Sequence, residues 1–332
     1  MLDWTTFMKT THVTHSQVSR RAFTLVELLV AIAIILVLIG ILLPALGKVS
    51  TKARVTSTQA TMNEFAKACD TFQAQFGYYP GIVPENMLAA TPNSPISGTE
   101  NALLHLMGGA IRSDDPNYLT AAGSEFTFGT TGTTGTGQLK IKINPIDIGK
   151  GPRIEGKQYD SFFAPKDTQL KPVTGQVGEQ LVLPDLVDAW GQPIGYVRAA
   201  RIGGLVSGAI TDKPQFYLEP LSPYLSSTAL GDLGVNQVST SVFGSGSAAD
   251  QRSYLAQLLR HPAFGTFTAL ADARAGTPRG KYFLFSPGPD GIYFAKINDG
   301  PTASTAFVFT SVEARKPDVY ATYNDVMVSG GG

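Results

Sequence analysis

Along the chain the hydrophobic pattern changes character several times, and each change predicts a different kind of element. From Phe23 to Leu43 twenty-one residues run with a single charge, Glu27. At 1.5 Å per helical residue such a run makes a helix about 30 Å long, the thickness of a bilayer's hydrocarbon core. Beyond Pro44 the apolar positions thin to a stripe. Val55, Met62, Phe65, Cys69, Phe72 and Phe76 recur at spacings of three, four and seven, with Lys52, Arg54, Gln59, Asn63, Glu64, Lys67 and Asp70 between them. That is one face of an amphipathic helix. Gly77 supplies a C-terminal cap and Pro80 bars continuation, so the predicted helix ends at Phe76 and is about 80 Å long from Phe23. Pro44 lacks an N–H and is expected to bend the helix or melt it locally.

After Phe76 the pattern becomes that of short elements in a turn-rich background. Residues 81–137 read as loops with one helical piece around 101–111, carried by Ala102, Leu103, Leu106 and Met107. Residues 128–137 are a Gly/Thr low-complexity stretch. No Lys-Ser/Thr pair follows it, so it reads as a flexible or hairpin loop and not as a phosphate-cradling one. Leu139, Ile141 and Ile143 alternate with Lys140 and Lys142, which predicts a half-buried strand over residues 138–144. Residues 201–279 are mostly loop, with a short helix at 249–260. Residues 281–286 form a strand, 287–291 a turn and 292–297 a returning strand, with further strands at 306–312 and 320–328. The fold class expected is α+β: one long N-terminal helix whose second half packs on a C-terminal antiparallel sheet.

Composition and charge narrow the function classes. Among 332 residues there are 35 glycines and 21 prolines, in keeping with a turn-rich soluble part. Lys+Arg and Asp+Glu both number 26, so no basic field argues for nucleic acid as a partner. Cys69 stands alone, which rules out an intramolecular disulfide. Of four histidines, His12 and His15 precede the apolar run, leaving only His105 and His261 for a metal site or a triad. Gly244-Ser245-Gly246-Ser247 does not fit a nucleophile elbow, and Asp114-Asp115 beside Pro116 reads as a solvated turn. No enzymatic activity is expected. Lys9, Arg20 and Arg21 before the span are matched by Lys48, Lys52 and Arg54 after it, so charge alone leaves the orientation open.

Arg20-Arg21-Ala22-Phe23-Thr24-Leu25-Val26-Glu27, with the apolar run behind it, resembles the class III signal of type IV pilins and type II secretion pseudopilins. In that family prepilin peptidase cuts just before the Phe, and Glu is the fifth residue of the mature chain. Counting from Phe23, Glu27 is the fifth residue and Pro44 the twenty-second, where the family usually carries proline. Ala22 stands at the cut where the family usually has Gly. Gly77-Tyr78-Tyr79-Pro80 resembles the "G-x-Y-P" that closes the long helix in major pseudopilins. Asp188, Trp190, Gly191, Pro193 and Tyr196 resemble their "D-P-W-G-x-P-Y-x-Y" turn, with Ala189 replacing the first proline. Pro287-Gly288-Pro289-Asp290-Gly291 resembles their "S-x-G-P-D-G" hairpin, and Asn324-Asp325-Val326 their "D-D-I".

The resemblance implies residues 1–22 as a leader, 23–46 as a transmembrane and filament-core helix, and 47–76 as its amphipathic continuation. Residues 77–332 would be a pilin-like β domain with insertions at about 92–180 and 201–279. It further implies processing between Ala22 and Phe23, N-methylation of Phe23, and Glu27 as the assembly residue, paired with the Phe23 amine of a neighbouring subunit. Trp190 is expected to plug the space between sheet and helix, with Gly191 and Pro193 setting the turn. Ca2+ would find its oxygen ligands at Asp290, Asn324 and Asp325, with Asn298 and Asp299 nearby, although Asp-Gly and Asn-Asp also serve simply as turn formers. The implied partners are prepilin peptidase, other copies of the chain or related pseudopilins, and an inner-membrane assembly platform. The implied location is the bacterial inner membrane, single-pass, with the globular part periplasmic and carried into a pseudopilus or pilus filament. The alternative is a non-polymerising single-span membrane protein with an exported binding domain.

Overall fold

The computed structural model describes residues 24–89, 94–130, 137–172, 182–199, 205–206, 214–216, 279–291, 293 and 325–331. The chain divides into two compact units, Met1–Ser50 and Thr51–Gly332. Helix α1, Leu25–Phe76, supplies the described part of the first unit and opens the second. It stays helical through Pro44, so the local melting expected there does not occur. Proline removes one backbone donor, and the good helix formers Leu42, Leu43, Ala45 and Leu46 beside it favour continuation of the remaining ladder. Along residues 24–50 every described side chain is exposed.

In the second unit α1 buries the face that its apolar spacing marks. Met62, Phe65, Cys69 and Phe72 are fully enclosed, while Val55 and Phe76 are partly buried at its ends. Ala66 and Ala68 share that face and let neighbours approach closely. The segment after α1 carries α2, Glu85–Ala89, and then α3, Gly98–Met107. Helix α3 begins with a capping box: the Ser97 hydroxyl accepts from Glu100 N at 3.1 Å, and the Glu100 carboxylate accepts from Ser97 N at 2.6 Å. All ten of its residues are buried. Ala102, Leu103, Leu106 and Met107 join the α1 core, whereas Leu104 belongs to a second cluster.

That second cluster lies under a three-stranded antiparallel sheet of β1 (Ala110–Arg112), β2 (Ser124–Thr130) and β3 (Gly137–Ile143), with β3 in the middle. Phe126 and Phe128 of β2 and Leu139, Ile141 and Ile143 of β3 are buried, as the alternation of β3 predicts. The low-complexity stretch is the connection of the β2–β3 hairpin, but its first residues, Phe128 to Thr130, already belong to β2. Two short hairpin-like pairs follow: β4 (Arg153–Ile154) with β5 (Lys157–Gln158), and β6 (Leu170–Lys171) with β7 (Asp185–Leu186).

The other three-stranded sheet packs on α1. It comprises β8 (Gly195–Arg198), β11 (Tyr282–Ser286) and β12 (Val326–Gly330), all antiparallel, with β11 central; β9 (Leu205–Val206) and β10 (Pro214–Phe216) form a separate parallel pair. Strand β11 is buried throughout: Tyr282 and Leu284 join the α1 core, and Phe285 meets Tyr293 edge-on at 5.5 Å. Gly195 is required here, because a Cβ on it would lie 2.2 Å from the Phe285 ring.

Two sequence expectations are corrected by this sheet. A returning strand finds no free edge on β11, because β8 occupies one and β12 the other; residues 292 and 294–297 themselves lie outside the described residues. The turn expected at 287–291 is present as a 3-10 turn, Gly288–Asp290, ended by Gly291 in the left-handed conformation. Trp190 is not the plug between sheet and helix. It is half-exposed, and Phe163, Tyr196, Tyr282 and Leu284 fill that space. The turn is held by Asp188, whose Oδ1 accepts from Trp190 N at 2.8 Å and Gln192 N at 2.9 Å. Its Oδ2 accepts from Ser286 Oγ at 2.7 Å. Burial pushes the Asp188 carboxyl above its usual range, and the Ser286 and backbone hydrogen bonds partly offset this. Gly191 supplies the left-handed residue and Pro193 bridges to Val187. The expected strand at 306–312 and helix at 249–260 lie outside the described residues.

One buried ion pair ties the segment after α1 to the second sheet. The Arg198 guanidinium donates to the Glu85 carboxylate, to Tyr79 O, and to Gly81 O at 3.3 Å. Both side chains are nearly inaccessible, at 2% and 8%. Replacing Glu85 by Ala leaves a buried guanidinium without its countercharge and is expected to cost about 3–5 kcal/mol. Urea denaturation of the Glu85→Ala chain, followed by tryptophan fluorescence, measures this loss.

Candidate functional site: the apolar helix and its single carboxylate

Thr24 and Glu27 open α1. Thr24 Oγ1 accepts from Glu27 N at 3.2 Å, and the Glu27 carboxylate accepts from Thr24 N at 2.8 Å and from Thr24 Oγ1 at 2.9 Å. This reciprocal arrangement is a capping box, which satisfies otherwise orphaned donors of the first turn. Thr24 is the site residue that the sequence reading overlooks. Its signal was Thr-x-x-Glu directly before an apolar run, a short pattern overshadowed by the oddity of a carboxylate in such a run.

The box changes what Glu27 can do. A carboxylate at the head of an apolar segment is costly in hydrocarbon unless donors surround it. Here one oxygen already takes two hydrogen bonds from within its own turn, so the charge is partly compensated before any partner arrives. The other oxygen, Oε1, is where an ammonium could be met without dismantling the cap.

Behind the box the helix offers only apolar surface as far as Gly47. Leu25, Ile41 and Leu43 expose 78%, 69% and 63% of their surface, and the described side chains from Thr24 to Ser50 are exposed on every side. Water-soluble monomers rarely show contiguous apolar patches beyond a few hundred Å2. A helix apolar all round demands an apolar surrounding, either lipid or other helices. Among the described residues this is the one helix long and apolar enough to cross a membrane.

The remaining sequence-derived sites are scattered. Ala22 and Phe23 lie outside the described residues, as do Asn298, Asp299 and Asn324. Asp290 ends the 3-10 turn and Asp325 immediately precedes β12. Among the described residues no group of three or more His, Cys, Asp or Glu could hold a metal ion. Of the expected calcium ligands, Asp290 and Asp325 alone are among the described residues. Cys69 is fully buried, and burial pushes its thiol well above the usual range, which makes it an unreactive core side chain.

Loss of an N-cap costs about 1 kcal/mol. Thr24→Val is therefore expected to speed hydrogen exchange of the first-turn amides, Thr24 to Leu28, about fivefold. NMR exchange on the full chain in detergent micelles checks this, with exchange beyond Val30 unchanged.

Comparison with known proteins bears on this segment alone. No curated protein and no solved structure matches the chain. The family model described as the prokaryotic N-terminal methylation motif matches residues 18–43, which span the two arginines, Ala22, Phe23, the capping box and the apolar run. What the chain carries at its N-terminus is therefore a prepilin-type methylation signal, the kind found on type IV pilin-like proteins and pseudopilins.

Proposed function

We propose that the chain is a structural subunit of a type II secretion pseudopilus or a type IV pilus-like filament. Prepilin peptidase removes residues 1–22, and Phe23 becomes the methylated N-terminus. Residues 23–46 hold the subunit in the bacterial inner membrane, with residues 77–332 on the periplasmic side. An inner-membrane assembly platform then moves subunits from lipid into a filament of this chain or of related pseudopilins. The observation that carries the reading is a methylation motif fused to a helix whose apolar surface is exposed on every side.

Glu27 gives assembly its directionality in this scheme. In the bilayer Thr24 holds the carboxylate with local hydrogen bonds. When the helix leaves lipid, the Phe23 ammonium of a neighbour reaches the same carboxylate, and two charges that are separately expensive become one buried pair. Removing one member of such a pair typically costs about 3–5 kcal/mol. The lateral packing of residues 25–43 against like helices replaces the lipid contacts by van der Waals packing and keeps the apolar surface from water outside the bilayer.

Intact mass of the protein purified from membranes is expected to give a chain beginning at Phe23; a chain that keeps Met1 sinks the proposal. A second measurement separates assembly from anchoring. Glu27→Val is expected to be cleaved and membrane-inserted like the parent but absent from sheared filaments. A normal filament yield from that variant removes the pairing scheme.

A further inference from the structure

Strand β2 ends the order β1-β3-β2, and at seven residues it is the longest edge strand among the described residues. The ladder of its sheet shows which main-chain groups face outward. On the β1 side, Ser113 N donates to Lys140 O and Asn144 N to Gly109 O, both at 2.8 Å. Lys140 and Asn144 therefore turn their main-chain groups toward β1, and by the antiparallel alternation Lys142 does too. Leu139, Ile141 and Ile143 turn theirs toward β2, where they oppose Phe128, Phe126 and Ser124. Between those three, Glu125 and Thr127 direct both N–H and C=O away from the sheet. No hydrogen bond from outside the sheet reaches either main chain among the described residues. Main-chain groups without partners are rarely buried away from water, so this edge is open.

Edges left open in this way are usually blunted by proline, lysine, a bulge or a covering element. The edge of β8 is closed by α3, whose Thr99 Oγ1 accepts from Tyr196 N at 3.0 Å. Strand β1 is only three residues long. Strand β2, Ser-Glu-Phe-Thr-Phe-Gly-Thr, has neither proline nor lysine, and it pairs with β3 without a bulge over its whole length. Its one charge is neutralised within the sheet: the Glu125 carboxylate accepts from Lys140 Nζ and from the Tyr118 hydroxyl, both at 2.7 Å. Nothing in the strand repels another strand.

The strand is complementary to itself. A second β2 laid antiparallel about a two-fold axis through Phe126 sets Glu125 opposite Thr127 and Thr127 opposite Glu125. The outward N–H and C=O of both residues then close four hydrogen bonds between the copies. On the exposed face each carboxylate meets a hydroxyl donor instead of a second carboxylate, as favourable cross-strand pairing requires. Such an interface is isologous, the same residues serving both sides. We propose that the outer edge of β2 pairs two copies of this chain, joining their sheets into one of six strands. The surface lies in the insertion and owes nothing to the N-terminal signal, so its failure would leave the filament reading untouched.

The test is amide hydrogen exchange by NMR on the full chain in neutral detergent, at a fixed ratio of micelles to chains. Raising the protein about a hundredfold in concentration is expected to slow exchange of the Glu125 and Thr127 amides about tenfold. The Phe126 and Phe128 amides, already bonded to β3, are expected to stay slow throughout. Thr127→Pro removes an outward donor that the ladder to β3 does not use, and is expected to abolish the concentration dependence at Glu125. Thr127→Glu sets carboxylates opposite each other and is expected to weaken the association about fivefold. Exchange that is fast at every concentration, or a dependence that survives both substitutions, overturns the proposal. Protection that does not respond to dilution marks an edge closed by the chain's own residues, and overturns it too.

Discussion

The second unit depends on a helix that water never reaches. A fully buried helix must present polar side chains somewhere, and α3 uses each of them to satisfy backbone groups that no strand serves. Asn101 accepts from Val83 N and donates to Val83 O, both at 2.8 Å, as a strand neighbour would. Its own carbonyl accepts from Ile82 N. His105 Nδ1 accepts from Gly81 N at 3.0 Å. Thr99 Oγ1 donates to Ile194 O at 2.8 Å and accepts from Tyr196 N at 3.0 Å, fixing the start of β8. Because buried donors left alone are costly, these bonds decide where the segment after α1 and the second sheet can lie. The apolar positions of α3 then close one core toward α1 and another toward β1–β3. Its exit is equally constrained: Gly108, at φ +87°, lies so near Gly151 that a Cβ would meet its carbonyl oxygen at 2.0 Å.

The N-terminal helix follows the opposite logic. Where α3 must hide polar groups among apolar ones, residues 25–47 carry apolar groups with nothing of their own unit to cover them. Its one carboxylate is handled at the first turn, by Thr24. The helix therefore presents a uniform surface that lipid or like helices can cover, with a single charged position at its head. The filament role proposed above asks for both.

Much of this was legible from one dimension. The apolar run, the stripe from Val55 to Phe76, the helix stop at Gly77 and the alternation of Leu139, Ile141 and Ile143 are periodicities, and periodicity is a local property of the chain. Two capping boxes, Thr24 with Glu27 and Ser97 with Glu100, were equally local and were passed over. The first was hidden by attention to charge and the second by the Gly and Pro around it, which made residues 81–137 look like loop. Trp190 misled for another reason: residue size suggested a core plug, but the turn around Asp188 directs its backbone, and Tyr196, six residues on, takes the enclosed place.

By itself, then, the sequence determined the elements whose cause is short-range: a membrane-length helix with a processing signal, its amphipathic continuation, and a hairpin over a Gly/Thr connection. The tertiary structure decided everything that depends on which surfaces meet. Strand β11 became central because β8 and β12 arrived from distant parts of the chain to fill both its edges, which no local pattern around Pro287-Gly288-Pro289-Asp290-Gly291 encodes. Arg198 and Glu85, 113 residues apart, became partners only once burial made an unpaired charge intolerable. Periodicity fixes the face an element must bury; the choice of partner is a competition among all such faces, and only the closed fold settles it.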